Sequence, residues 1–248
     1  MSVAERQAVV EAAVAAAPRH GKVVVHVGAG AFDDVRALTR HAAQAGAAAI
    51  SSLPPAGPGF GFAETLRFYS DLTSVADLPL IVYYFPQVYP GISTRAQIEE
   101  LCALPGVAGV KFTDFDLATL AATAAVSDRV VYNGRDEVLA AGLLMGAHGA
   151  IGSFYNIVPE LALAIASHAA TGQWTEARAA QDVLNRLITT VLAFPLFPAL
   201  KQILTWMGEP FGDCLSPRPP LDAMQREALR TALVEAGFEA LTRPASAS

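Results

Sequence analysis

The sequence predicts an α/β protein built on a parallel sheet: a TIM-type (β/α)8 barrel that lacks its first two βα units and carries extra C-terminal helices. Three observations support this. Short β-branched runs without polar alternation recur at residues 23–27, 48–52, 80–84, 107–112, 130–133 and 149–153. Helical patterns, with apolar residues three and four apart, follow these runs. Hydrophobic residues make up 53% of the 248, against 16% charged, which is enough to bury a sheet on both faces.

The elements follow in order. The first twenty residues carry Glu5, Arg6 and Glu11 within an apolar stretch, and read as a helix rather than a secretory leader. Val35, Leu38 and Ala42 mark the helix after the first strand. Before Ile98, Leu101 and Cys102, the pair Thr94 and Gln97 has capping-box spacing. Val138, Leu139 and Leu143 mark a later helix. They open a charge-free run, 138–159, that is long enough for a membrane span. Gly142, Gly146, Gly149 and Gly152 divide that run, and Ser153, Tyr155 and Asn156 end it polar, so a buried helix followed by a buried strand is expected. Beyond Asn156 the pattern is all-helical, at about 157–170, 173–193, 196–207 and 221–238, broken by Pro195, Pro198 and the prolines from Pro217 to Pro220. With no linker in sight, residues 1–248 read as one domain, a partial barrel over 1–156 followed by helices over 157–248.

Composition excludes several functions. A net charge of −6 argues against binding a phosphate backbone, and hence nucleic acid. Cys102 and Cys214 have no metal spacing and form no disulfide framework. The five histidines, His20, His26, His41, His148 and His168, are not clustered, so no metal site is expected. Gly28 and Gly30 follow a strand, but Asp33 occupies the third position of a dinucleotide fingerprint. Ser153 lacks the nucleophile elbow of a serine hydrolase. A soluble, cytoplasmic protein that does not enter a membrane is the expectation.

In a parallel α/β fold, chemistry sits at the carboxyl ends of the strands. Those ends carry His26 and Gly28, Ser51 and Ser52, Tyr83 and Tyr84, Lys111 and Thr113, Asn133, Asp136 and Glu137, and Ser153 and Tyr155. Lys111 stands out. The chain has 17 Lys+Arg, of which only Lys22, Lys111 and Lys201 are lysines, and Lys111 alone lies inside a run that should be buried in the sheet. Burial of an unpaired ammonium favours the neutral amine, a nucleophile toward carbonyl carbon. An ion pair with Asp114 or Asp116 is the competing structural reading. Tyr83 could relay protons or simply pack in the core. Asp136 and Glu137, opening a helix, could do no more than complement its dipole.

Taken together, Tyr-x-x-Pro at 83–86, Gly-Val-Lys-Phe-Thr-Asp at 109–114, Tyr-Asn-Gly-Arg-Asp-Glu at 132–137 and Gly-Ser-Phe-Tyr-Asn at 152–156 resemble the N-acetylneuraminate lyase branch of the dihydrodipicolinate synthase superfamily of class I aldolases. The resemblance covers nearly the whole chain. It implies that Lys111 forms a Schiff base with the 2-keto carbon of an open-chain sialic acid, that Tyr83 shuttles the proton, and that pyruvate and N-acetylmannosamine are the products. It implies that Thr113, Gly134, Asp136, Glu137 and Ser153 hydrogen-bond the sugar hydroxyls, that no metal or organic cofactor takes part, and that the chain forms a homotetramer.

The departures from the family are specific. Synthases carry an arginine shortly after Tyr-x-x-Pro, where this chain has Gln87, Val88 and Tyr89, and a tyrosine in the preceding loop, which here runs from Pro54 to Phe60 without one. Both favour the lyase over the synthase. Another 2-keto acid aldolase or dehydratase, and a non-catalytic homologue, are the alternatives. The family also opens with two βα units and a Gly-Ser/Thr-Thr-Gly-Glu turn that holds the pyruvate carboxylate, and the resemblance begins after that turn. A truncated amino end is therefore expected.

Overall fold

The computed structural model describes residues 1–17, 21–55, 57, 59–126 and 128–243. His20, and Ala56 and Pro58 of the loop without tyrosine, lie outside the described residues. The chain divides into two compact units, Met1–Arg135 with Ala141–Ile151, and Asp136–Ala140 with Gly152–Ser248.

The first unit holds six strands: β1 (Val24–His26), β2 (Ala49–Ser52), β3 (Leu80–Tyr84), β4 (Val107–Phe112), β5 (Val130–Asn133) and β6 (Gly149–Ala150). They form one all-parallel sheet in strict chain order, the order that closes a (β/α)8 barrel at eight strands. The connecting helices are α1 (Val3–Ala16), α2 (Phe32–Ala45), α3 (Phe62–Thr73), α4 (Arg95–Cys102), α5 (Leu117–Val126) and α6 (Leu139–Leu144). Side chains alternate across the sheet. Val25, Ile50, Leu80, Val82, Val110, Phe112 and Val131 point to the helices and share one core with Val35, Leu38, Tyr69, Leu72, Ile98 and Leu101. Each such Val, Leu or Ile contributes about 1.5–3 kcal/mol by leaving water. The intervening positions, Ser51, Ile81, Tyr83, Gly109, Lys111 and Tyr132, lie on the opposite face.

The observed strands fall on the expected runs, with β1 and β2 trimmed at their ends and β6 cut to two residues. β6 ends at Ala150 rather than near residue 153, because Phe154–Asn156 winds into a 3-10 turn. The expected cap is present: the Thr94 hydroxyl accepts from the Gln97 N–H at 3.3 Å, and the Gln97 side chain accepts from the Thr94 N–H at 3.2 Å. Ser2 and Glu5 form a second capping box at the start of α1. The charge-free run resolves into α6, β6 and the 3-10 turn. Among the described residues no single helix is long and apolar enough to cross a membrane.

The second unit contains α7 (Pro159–Ala170), α8 (Trp174–Leu192), α9 (Leu196–Trp206) and α10 (Ala223–Glu235). Ile165, Leu184, Leu187, Val191, Ile203, Leu229 and Leu233 supply its buried side chains. Polar clamps bind α8 to the 3-10 turn Asp136–Val138 and the start of α6. Gln181 Oε1 accepts from the Ala140 N–H at 2.8 Å, Gln181 Nε2 donates to the Asp136 carbonyl at 2.9 Å, and Asn185 Nδ2 donates to the Glu137 carbonyl at 2.9 Å.

Candidate active site

Strand register builds the centre of the site. Tyr83 pairs with Lys111, and Lys111 with Tyr132, across β3, β4 and β5, so the three side chains share one face. Lys111 Nζ donates to the Tyr83 hydroxyl at 3.0 Å and lies 4.1 Å from the centroid of its ring. Phe85 stacks on Tyr83 at 6.1 Å with planes 10° apart, and His26 meets Tyr83 edge-on at 6.3 Å. The carboxylates considered as ion-pair partners are engaged elsewhere. Asp114 accepts from Gln87 Nε2 and from the Phe115 N–H, both at 2.7 Å. Asp116 caps α5 by accepting from the Thr119 N–H at 3.0 Å and hydroxyl at 2.6 Å. Neither forms an ion pair with Lys111.

His26 Nε2 accepts from the Leu53 N–H at 3.2 Å, which places the proton of the neutral ring on Nδ1. Arg6 grips the end of β1, donating to the carbonyls of His26 at 2.6 Å and Gly28 at 2.8 Å. Desolvation, followed by the positive charges of Arg6 and Lys111, lowers the imidazole to about 4. The ring is therefore a neutral neighbour of Tyr83 near pH 7.

Beyond the strand ends, Thr113 donates its N–H to the Tyr84 carbonyl and Gly134 donates to the Phe112 carbonyl, each at 2.8 Å. These bonds bring Gly134 over the Thr113 hydroxyl so closely that any Cβ at 134 would collide with it. Thr113 is 4% exposed, and its buried hydroxyl has no partner among the described residues. A buried hydroxyl without a partner is costly, and a ligand that supplied one would recover the loss.

In the second unit, Asp136 is 6% exposed and its Oδ2 accepts from the Phe154 N–H at 2.9 Å. Gly152 faces this carboxylate with no room for a Cβ, which explains the glycine before Ser153. Burial, reinforced by the charge of Asp136 and a hydrogen bond with it, pushes the Tyr155 phenol well up. Ser153 is half-buried, and its carbonyl accepts from Asn156 Nδ2 at 2.9 Å. Glu137 is half-buried.

The structure thus brings Lys111 to Tyr83, Thr113 to Gly134, and Asp136 to the segment around Ser153. Sequence reasoning passed over Arg135, although it lies within the motif at 132–137. Its signal was an arginine directly between two candidate ligand-binding residues.

The lysine–tyrosine contact on a parallel α/β sheet fits a carbon–carbon lyase of the aldolase type, and the relatives place the chain in that class. Residues 1–236 match the dihydrodipicolinate synthetase family, and the chain belongs to that family. It is 38% identical over 233 residues to an N-acetylneuraminate lyase of Rhizobium meliloti, covering 94% of this chain and 78% of that protein. The structure of a Ruminococcus gnavus sialic acid aldolase superposes with a TM-score of 0.89 at 26% identity, covering 96% of this chain and 81% of the other. A Clostridium difficile structure in complex with mannosamine superposes with a TM-score of 0.90 at 25% identity, covering 95% and 82%.

Proposed function

We propose that this chain is a Schiff-base lyase that cleaves N-acetylneuraminate, or a closely similar 2-keto sugar acid, to pyruvate and N-acetylmannosamine. The observation that carries the reading is the 3.0 Å contact between Lys111 Nζ and the Tyr83 hydroxyl. The names of the relatives narrow the substrate.

The neutral amine of Lys111 attacks the keto carbon C2 of the open-chain substrate, and water leaves as the imine forms. Tyr83 gives its phenolic proton to the departing water, which leaves an iminium on Lys111; the phenolate then takes the proton of the C4 hydroxyl, the C3–C4 bond breaks, and its electron pair moves into the iminium to give an enamine and the free aldehyde. Tyr83 returns a proton toward C3, and hydrolysis of the imine releases pyruvate and restores the amine. Such positioned proton transfers contribute typically 10²–10⁴-fold. Thr113, Gly134, Asp136, Glu137 and Ser153 are assigned to the sugar hydroxyls by resemblance, and the unpartnered Thr113 hydroxyl is consistent with that role. A homotetramer in the cytoplasm completes the proposal, and the two free cysteines fit a reducing compartment.

Incubation with pyruvate and borohydride tests it. The peptide containing Lys111 is expected to gain the reduced pyruvyl mass, and Lys111→Arg is expected to abolish the adduct, since an arginine stays protonated. Labelling of Lys22 or Lys201 instead would overturn the assignment.

A further inference from the structure

The ends of β3, β4 and β5 converge on Arg135. Its guanidinium carbon lies 5.2 Å from the centroid of Phe85 and 4.5 Å from that of Phe115. Phe85 is the ring stacked on Tyr83, so the lysine and the arginine contact two successive rings of one aromatic stack. Gln87 Oε1 accepts from Arg135 Nη2 at 3.0 Å, and Gln87 Nε2 in turn donates to Asp114 at 2.7 Å. The amide thus stands between the arginine and the adjacent carboxylate. Among the described residues Arg135 forms no ion pair, and its Nε is buried without a hydrogen-bond partner.

A guanidinium has five N–H donors in a planar fork that matches a carboxylate. Here one donor bonds Gln87, the two rings orient the plane, and the positive charge is left without a protein counter-ion. A solvated surface arginine would need neither the rings nor the relay. Arg135 also directly follows Gly134 at the strand ends, beside the position assigned to the sugar.

We propose that Arg135 is a specificity-determining residue that admits a second substrate class, 2-keto sugar acids whose acceptor half ends in a carboxylate. The proposal rests on the lyase reading. In the condensing direction the acceptor is a hexuronate. The enamine carbon C3 of pyruvate bonds to the aldehyde carbon, the aldehyde oxygen takes a proton, and the far carboxylate pairs with the Arg135 fork. No oxidant or reductant is involved.

The test compares condensation of pyruvate with mannuronate and with mannose, which differ only at the far end. In the native chain, kcat/KM for mannuronate is expected to exceed that for mannose by about tenfold or more, the scale of a charge-assisted hydrogen bond. Arg135→Gln is expected to remove most of that preference, and Arg135→Lys to retain part of it. Added salt should lower the preference of the native chain. Native preference for mannose, or a preference unchanged in Arg135→Gln, would overturn the proposal. So would an Arg135→Gln variant that needs more pyruvate for borohydride trapping, because the arginine would then hold the carboxylate beside the imine. Trapping on the native chain separates the two levels. An adduct on Lys111 without acid preference defeats this inference alone, whereas no adduct defeats the lyase reading and this inference with it.

Discussion

At the scale of single residues, the proposed catalytic pair Lys111 and Tyr83 sits among uncharged rings. Lys111 rests on the ring and hydroxyl of Tyr83, and His26 closes the edge of that ring as a neutral base. The titration of His26 has a measurable consequence. Its imidazole titrates near 6.5 when unfolded and at about 4 in the fold, so between those values the unfolded chain binds the extra proton. The stability that His26 contributes is therefore fully present above pH 6.5 and is lost as pH falls toward 4. Its ring still meets solvent, so the slope is shallower than one full proton. The urea midpoint of the native chain is expected to fall more between pH 7 and pH 5 than that of His26→Gln. Equal falls would assign the acid sensitivity elsewhere.

At the scale of elements, the polar clamps on the 3-10 turn Asp136–Val138 and the start of α6 hold the candidate sugar-binding carboxylates. Gln181 satisfies one buried N–H and one buried carbonyl there, and Asn185 satisfies another carbonyl. Gln181→Leu keeps the apolar stem and removes the amide's hydrogen bonds to both backbone groups. It is expected to cost about 2–6 kcal/mol, at about 1–3 kcal/mol for each of the two groups. Chemical denaturation of the second unit, followed by the fluorescence of Trp174 and Trp206, measures the loss. A change below about 0.5 kcal/mol would show that water replaces the amide. One helix start was legible: Thr94 and Gln97 form the expected box because a hydroxyl and an amide three apart satisfy each other's backbone donors. The short sixth strand was not legible, because the 3-10 turn Phe154–Asn156 that follows it is held by a hydrogen bond from the Phe154 N–H to Asp136, eighteen residues earlier in the chain.

At the scale of the molecule, β1 is paired to β2 on one side, and its other edge has no strand among the described residues. Beside it runs a largely apolar groove of about 630 Å³, lined by Val9, Val10, Val24 and Leu38 among others. Val24 is 37% exposed there. An exposed parallel edge with apolar flanks recruits further strands, and a lysine on it discourages that pairing. The native chain is therefore expected to self-associate with rising concentration, and Val24→Lys to reduce the association. Light scattering over a concentration series checks both, and identical behaviour of the two proteins would remove the edge as the cause.

The sequence by itself determined the alternation of strands and helices, since unbroken β-branched runs and three-and-four spacings are local signals of how a segment is buried. It also singled out Lys111, because a lysine inside an apolar run of a chain with only three lysines stands out without any structure. Only the tertiary structure decided what Lys111 touches. Asp114 and Asp116 are nearer in sequence, but parallel register places Tyr83, 28 residues earlier, against it. In the same way Phe85, Gln87, Asp114, Phe115 and Arg135 become neighbours only where three strands end side by side. The physical reason is common to both cases. Burial patterns are written along the chain, whereas partners across a parallel sheet are set by strand register, which no short stretch of sequence encodes.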